Sequence, residues 1–135
     1  MKEKAARNKT IDFLIEEGKE YLDLCITADD VNDSIESVMN RFIIGDCFEV
    51  MEKLPKKFVD LLVVDPPYNL AKDYHGNKFN RKSQDDYRRY TVLWLEKVLP
   101  LLKDTASVYV CCDWKSSLVI GDVLHNYFRV QNRIT

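Results

Sequence analysis

The period of the apolar residues changes several times along this chain, and each change marks an element. After a polar start, Ile11, Leu14, Ile15, Leu22 and Cys25 recur at helical spacing behind Thr10, a suitable N-cap. They predict an amphipathic helix to about Ile26, weakened by Gly18. A second, short helix is predicted from Asp29 or Asp30 as cap and Val31, Ile35, Val38 and Met39 on one face. At Arg41 the pattern turns strand-like, and Arg41-Phe42-Ile43-Ile44 reads as a short strand stopped by Gly45-Asp46. Phe48, Val50, Met51 and Leu54 return to helical spacing until Pro55, and Val59 to Val64 is the next strand. A long polar loop, 69–83, follows without periodicity, a length that in a compact domain more often serves function. Asp85 or Asp86 then caps a helix with the face Tyr87, Tyr90, Trp94 and Val98, ending near Pro100. A third strand is predicted from Ala106 to Cys112, a helix from Ser116 to Phe128, and a fourth strand from Arg129 to Thr135. Strands alternating with helices imply an α/β chain with a mainly parallel sheet covered on both faces.

The stretch that organises the chain is Leu61-Leu62-Val63-Val64-Asp65-Pro66-Pro67-Tyr68. Its apolar run fits a strand buried on both faces, and two prolines end it, because neither has an N–H to donate and each fixes its φ. Asp65 and Tyr68 are therefore delivered together at the carboxyl end of a strand, where open α/β sheets bind ligands.

Composition sets bounds without changing that focus. With 135 residues, 46% hydrophobic and 31% charged, the chain has the make-up of one globular domain. The net charge of -2 carries no general nucleic-acid signature, but charge is unevenly spread. Residues 1–40 hold five bases against ten acids and residues 41–135 fifteen against twelve, so the acidic part is expected to face away from any DNA. The cysteines Cys25, Cys47, Cys111 and Cys112 show no C-x-x-C spacing, and no apolar stretch suits a signal peptide or a membrane span. Four free thiols and a cytoplasmic location are expected. His75 and His125 lie far apart with no cysteine at finger-like spacing, so no metal site is expected.

Asp65-Pro66-Pro67-Tyr68 at a strand end resembles the catalytic motif of the DNA amino-methyltransferases, which move a methyl group from S-adenosylmethionine to an exocyclic amine of adenine or cytosine. The order Gly45-Asp46-Cys47, helix, strand, Asp65 to Asn69, helix, strand, Asp113-Trp114 is similar to the permuted (beta) group of that family from about Arg41 onward. The resemblance implies a partial Rossmann-like methyltransferase fold, with 41–135 as its N-terminal, catalytic-motif half and 1–40 as an acidic helical extension. It implies that the Asp65 carboxylate and the Pro66 carbonyl accept the two N–H bonds of the target amine, that Pro67 helps keep the corner stiff, and that Tyr68 stacks on a flipped base. It also implies that Asp46 and the backbone of Cys47 contact the adenine of S-adenosyl-L-methionine; by spacing alone Asp46 is equally well an N-cap.

The loop carries Lys72, Lys78, Arg81 and Lys82 with Tyr74 and Phe79 between them, a mixture suited to phosphate contact and stacking on double-stranded DNA, although a solvated loop has similar composition. Asp113-Trp114-Lys115 either lines the same pocket or supplies a cap and a core tryptophan. An Asp in the first motif position favours adenine N6; cytosine N4 is the runner-up, and a non-catalytic, partner-binding module is the alternative of another class. The family's glycine-rich methionine-binding loop has no counterpart here: Gly18, Gly45, Gly76 and Gly121 are never paired. The expectation is thus a half-enzyme, completed by a C-terminal half or a complementary subunit carrying that loop. The first two helices are expected to pack or cap, with a homodimer contact as the alternative.

Overall fold

The protein is described by a computed structural model that covers the main chain of residues 15–74 and 77–134 and the side chains of residues 18–71 and 80–134. Thr10, Ile11 and His75 lie outside the described residues. The chain forms two compact units, Met1–Leu54 and Pro55–Thr135.

In the first unit, helix α1 is Ile15–Leu22 and stops short of the expected Ile26. The N–H groups of Leu24 and Cys25 take tightening bonds to Tyr21 and Leu22 carbonyls at 3.2 and 3.0 Å, and Ile26 N instead donates to Phe42 O at 2.9 Å. Ile26–Thr27 is consequently strand β1, paired in parallel with β2, Ile43–Ile44. Asp30 does not cap a helix, because its carboxylate accepts from Thr27 N and Oγ1 at 2.8 and 2.9 Å. Neither does Asp29; the cap of α2, Ile35–Val38, is Ser34. Gly45 has φ +154°, a conformation that residues with a Cβ rarely adopt, and it aims Asp46 at helix α3, Cys47–Lys53. At the far end of α3, Lys53 Nζ donates to Ala28 O at 3.0 Å and to Asp29 Oδ1 at 3.3 Å, tying the helix to the β1 exit.

In the second unit, β3, Val59–Val64, falls where its apolar run predicts, and pairs in parallel with β6, Leu102–Val110. β6 starts earlier than expected because the 3₁₀ turn Leu99–Leu101 leads directly into it, held by Lys57 N to Pro100 O at 3.0 Å and Phe58 N to Leu101 O at 2.9 Å. The predicted structureless loop contains an antiparallel hairpin of β4, Lys72–Tyr74, and β5, Asn77–Phe79. Helix α4, Gln84–Val98, is capped by Ser83, with Asp85 and Asp86 in its first turn, where they complement the helix dipole. Helix α5, Trp114–Leu124, begins earlier than predicted because Asp113 is its cap, accepting from Ser116 N at 2.8 Å. Residues 129–134 form no strand, since alternation needs a neighbouring strand to bond with and none of the described strands supplies it.

Tyr87, Val119 and Ile120 form the core between α4 and α5, and Tyr90, Val110, Cys112 and Leu124 pack against it. Leu95 and Val123 are also fully buried, each such aliphatic side chain contributing about 1.5–3 kcal/mol. Burial of β3 on both faces is not found. Its Leu62 and Val64 are half-buried, whereas Leu61, Val63 and the neighbouring Tyr109 of β6 remain 57%, 65% and 52% exposed. Among the described residues the protein thus has small parallel pairs with helices, an arrangement compatible with a methyltransferase-like α/β fold.

Candidate active site

The carboxyl end of β3 is fixed by its partner: Val64 sits opposite Val110, and Cys111 N donates to Val64 O at 2.8 Å. Pairing ends there because the next residues are Asp65, Pro66 and Pro67, and the prolines have no N–H. Asp65 is exposed, Pro66 is buried, and Pro67 and Tyr68 are half-buried, so a carboxylate stands on a corner whose backbone is set into the protein. The Tyr68 hydroxyl faces the Asp65 carboxylate. The carboxylate, first of all, and then desolvation push the phenol up to about 12, so Tyr68 is neutral at any physiological pH.

Behind the corner lies a layer of polar contacts. The Tyr87 hydroxyl donates to Pro67 O at 3.0 Å. Asn69 N donates to Ser116 Oγ at 3.2 Å, and the Ser116 side chain faces the Asp113 carboxylate, which accepts from Ser116 N at 2.8 Å. The nearby Ser116 hydroxyl is the main reason that the Asp113 carboxyl lies below its usual range. The Asn69 side chain copies a backbone pair: its Oδ1 accepts from Lys82 N at 2.7 Å and its Nδ2 donates to Lys82 O at 2.9 Å, closing the β4–β5 loop at its base. Cys112 lies on the same side, its thiol pushed up mainly by burial.

The sequence-predicted residues therefore divide. Asp65, Pro66, Pro67 and Tyr68 come together at one corner, and Arg81 and Lys82 are exposed at the base of the adjoining loop. Lys72 and Lys78 lie in the hairpin, Lys72 opposite Phe79 and Lys78 opposite Asp73. Asp46 belongs to the first unit and is a real N-cap, its Oδ1 accepting from Phe48 N at 2.8 Å; a carboxylate has two oxygens, and the cap uses one. Asp113 is the cap of the alternative reading, but Trp114 is not a core residue: it is 64% exposed, with the Arg133 guanidinium 3.9 Å from its ring centroid. Sequence reading assigned Tyr87 to packing alone and gave Ser116 no role. The available signal was chemical: a tyrosine on a buried helix face must find a partner for its hydroxyl. Among the described residues no group of three or more acids, histidines and cysteines is placed to hold a metal, and no helix is long and apolar enough to cross a membrane.

A strand that ends at an acid, two prolines and a tyrosine, backed by two packed helices, is the setting of an α/β enzyme's ligand corner. The family model described as DNA methylase matches residues 59–135, from the first residue of β3 onward, and the chain belongs to that family. It is similar to Type II methyltransferase M.HinfI of Haemophilus influenzae, at 25% identity over 71% of this chain and 30% of the relative. Type II methyltransferase M.BamHI of Bacillus amyloliquefaciens is 28% identical over 67% of this chain and 22% of its own length. M.HpaI of Haemophilus parainfluenzae reaches 31% over 62% and 26%. The chain thus spans less than a third of the length of each of these relatives.

Proposed function

We propose that this chain carries the catalytic corner of a DNA methyltransferase of the permuted group, which methylates the N6 amine of a flipped adenine as part of a restriction-modification pair. The observation that carries the reading is the placement of Asp65 beside Tyr68 where β3 leaves its pairing with β6. An adenine amine is a weak nucleophile because its lone pair is delocalised into the ring. Two acceptors on its N–H bonds, the Asp65 carboxylate and the Pro66 carbonyl, localise that pair on nitrogen and aim it. Tyr68, half-exposed at the corner, offers a ring face to the extruded base.

S-adenosyl-L-methionine, when bound, supplies the electrophilic methyl group. We assign the adenine end of the cofactor to Asp46, whose N-cap uses one of its two carboxylate oxygens, and to the Cys47 backbone; the methyl-transfer end we assign to Asp65. The methionine end needs the glycine-rich loop, which we assign to a C-terminal half or a companion chain. The exposed apolar side chains Leu61, Val63 and Tyr109 support such a further layer, which would complete a Rossmann-like sheet over 41–135. Lys72, Lys78, Arg81 and Lys82 are assigned to DNA phosphates, and the enzyme to the cytoplasm, where its DNA is.

Nucleosides from DNA treated with the active enzyme, analysed by mass spectrometry, test this reading. N6-methyladenine is the expected product; N4-methylcytosine alone would move the target to cytosine, and no methylated base would refute the enzyme.

A further inference from the structure

We infer that Tyr87 is a positioning residue for methyl transfer: by holding the Pro67 carbonyl it fixes the direction of the Pro66 carbonyl and the seat of Tyr68. The inference rests on the reading of Asp65 to Tyr68 as the catalytic corner. The contact is made in an enclosed setting, because Tyr87 is 1% exposed and its hydroxyl donates to Pro67 O at 3.0 Å. Its ring belongs to the buried cluster with Val119 and Ile120 of α5 and stacks on Tyr90 with centroids 6.1 Å apart, so the hydroxyl is held in place.

The consequence follows from backbone geometry. Two planar peptide units meet at Pro67: one contains the Pro66 carbonyl, the other the Pro67 carbonyl and Tyr68 N–H. Proline locks φ between them, so ψ of Pro67 is the one soft rotation left. Tyr87 restrains that rotation by gripping the second plane. The Pro66 carbonyl, an acceptor for the target amine, thereby acquires a fixed direction, and the Tyr68 ring a fixed origin. On the far side of Tyr68 the chain is gripped again, by Asn69 N on Ser116 Oγ. The corner hangs between two buried hydroxyls, one from α4 and one from α5, and Ser116 is itself 2% exposed.

A merely structural tyrosine and a positioning one differ in what its hydroxyl controls. Tyr87→Phe keeps the ring and the core and removes the grip on Pro67 together with the contact of the hydroxyl to Ser116, the other anchor of the corner. In the active enzyme its kcat is expected to fall about three- to tenfold with KM for DNA within about twofold, since misdirected acceptors act on the transition state. Hydrogen exchange at the amides of Tyr68, Asn69 and Leu70 should accelerate in the same variant. Thr91→Val is the control, because the Thr91 hydroxyl, fully buried in the same helix, bonds Tyr87 O within that helix at 2.9 Å; it should lower stability and leave kcat unchanged. Unchanged kcat in Tyr87→Phe, or an equal loss in Thr91→Val, would overturn the inference while methylation by the wild type upheld the reading. A wild-type enzyme that transfers no methyl group would overturn both, even if exchange at the corner responded.

Discussion

The phenol of Tyr68 faces the carboxylate of Asp65, so the ring proposed to stack on the target base carries a hydroxyl beside the group proposed to hold its amine. Ring and hydroxyl are then separable in function. Tyr68→Phe keeps the stacking face, and transfer should stay within about threefold of wild type, whereas Tyr68→Ala should lose about five- to a hundredfold. Incorporation of labelled methyl groups into DNA measures both.

Asp65→Ala should abolish detectable transfer while its thermal unfolding stays near that of wild type, because Asp65 is exposed at the strand end, outside the apolar core, and gives up only a surface contact with the Tyr68 hydroxyl. Normal turnover by this variant would remove Asp65 from the chemistry.

The Asp65 contact also has a pH signature. A phenol raised to about 12 in the folded protein, against about 10 unfolded, gives a stabilising contact that is fully present below pH 10 and fades as pH rises toward 12. Ultraviolet titration of tyrosinate should therefore lose one late-titrating component in Tyr68→Phe and keep that of Tyr87, whose phenol burial also raises, and activity should have no limb from Tyr68 on the alkaline side of neutrality.

Asp113 should act at the opposite end of the scale. Its carboxyl is depressed chiefly by the nearby Ser116 hydroxyl, so its capping of α5 is present above about pH 4 and is lost as pH falls through its lowered folded value. Asp113→Ala should cost about 0.5–2 kcal/mol at neutral pH. The difference from wild type in denaturant unfolding should be flat from pH 6 to 8 and shrink only in acid.

Gly45→Ala tests the proposed cofactor side. The new Cβ would lie 3.9 Å from Val50 Cγ2, an ordinary contact, so the cost comes from φ +154° alone: about 1–3 kcal/mol of stability. Relief of that strain moves Asp46, and calorimetry with S-adenosylmethionine should show weaker binding by the active enzyme.

Much of this protein was determined locally. The run Val59 to Val64 and the prolines that stop it define β3 whatever surrounds it, because no buried strand continues through residues that cannot donate. Helix α3 follows Asp46 for a similarly local reason, and the buried face Tyr87, Trp94 and Val98 of α4 is written in its spacing. The motif Asp65 to Tyr68 was equally legible. What needed a partner elsewhere in the chain was not. Ile26–Thr27 became a strand only because Ile43–Ile44 lay ready to pair, and Arg129 to Ile134 stayed out of a sheet for want of a neighbour. Burial of one face of β3 and not the other depends on which layers cover it, which periodicity cannot state. The grip of Tyr87 on Pro67 was hidden for the same reason: an apolar spacing pattern records that a ring is buried, and only the approach of α4 to the end of β3 decides what its hydroxyl meets.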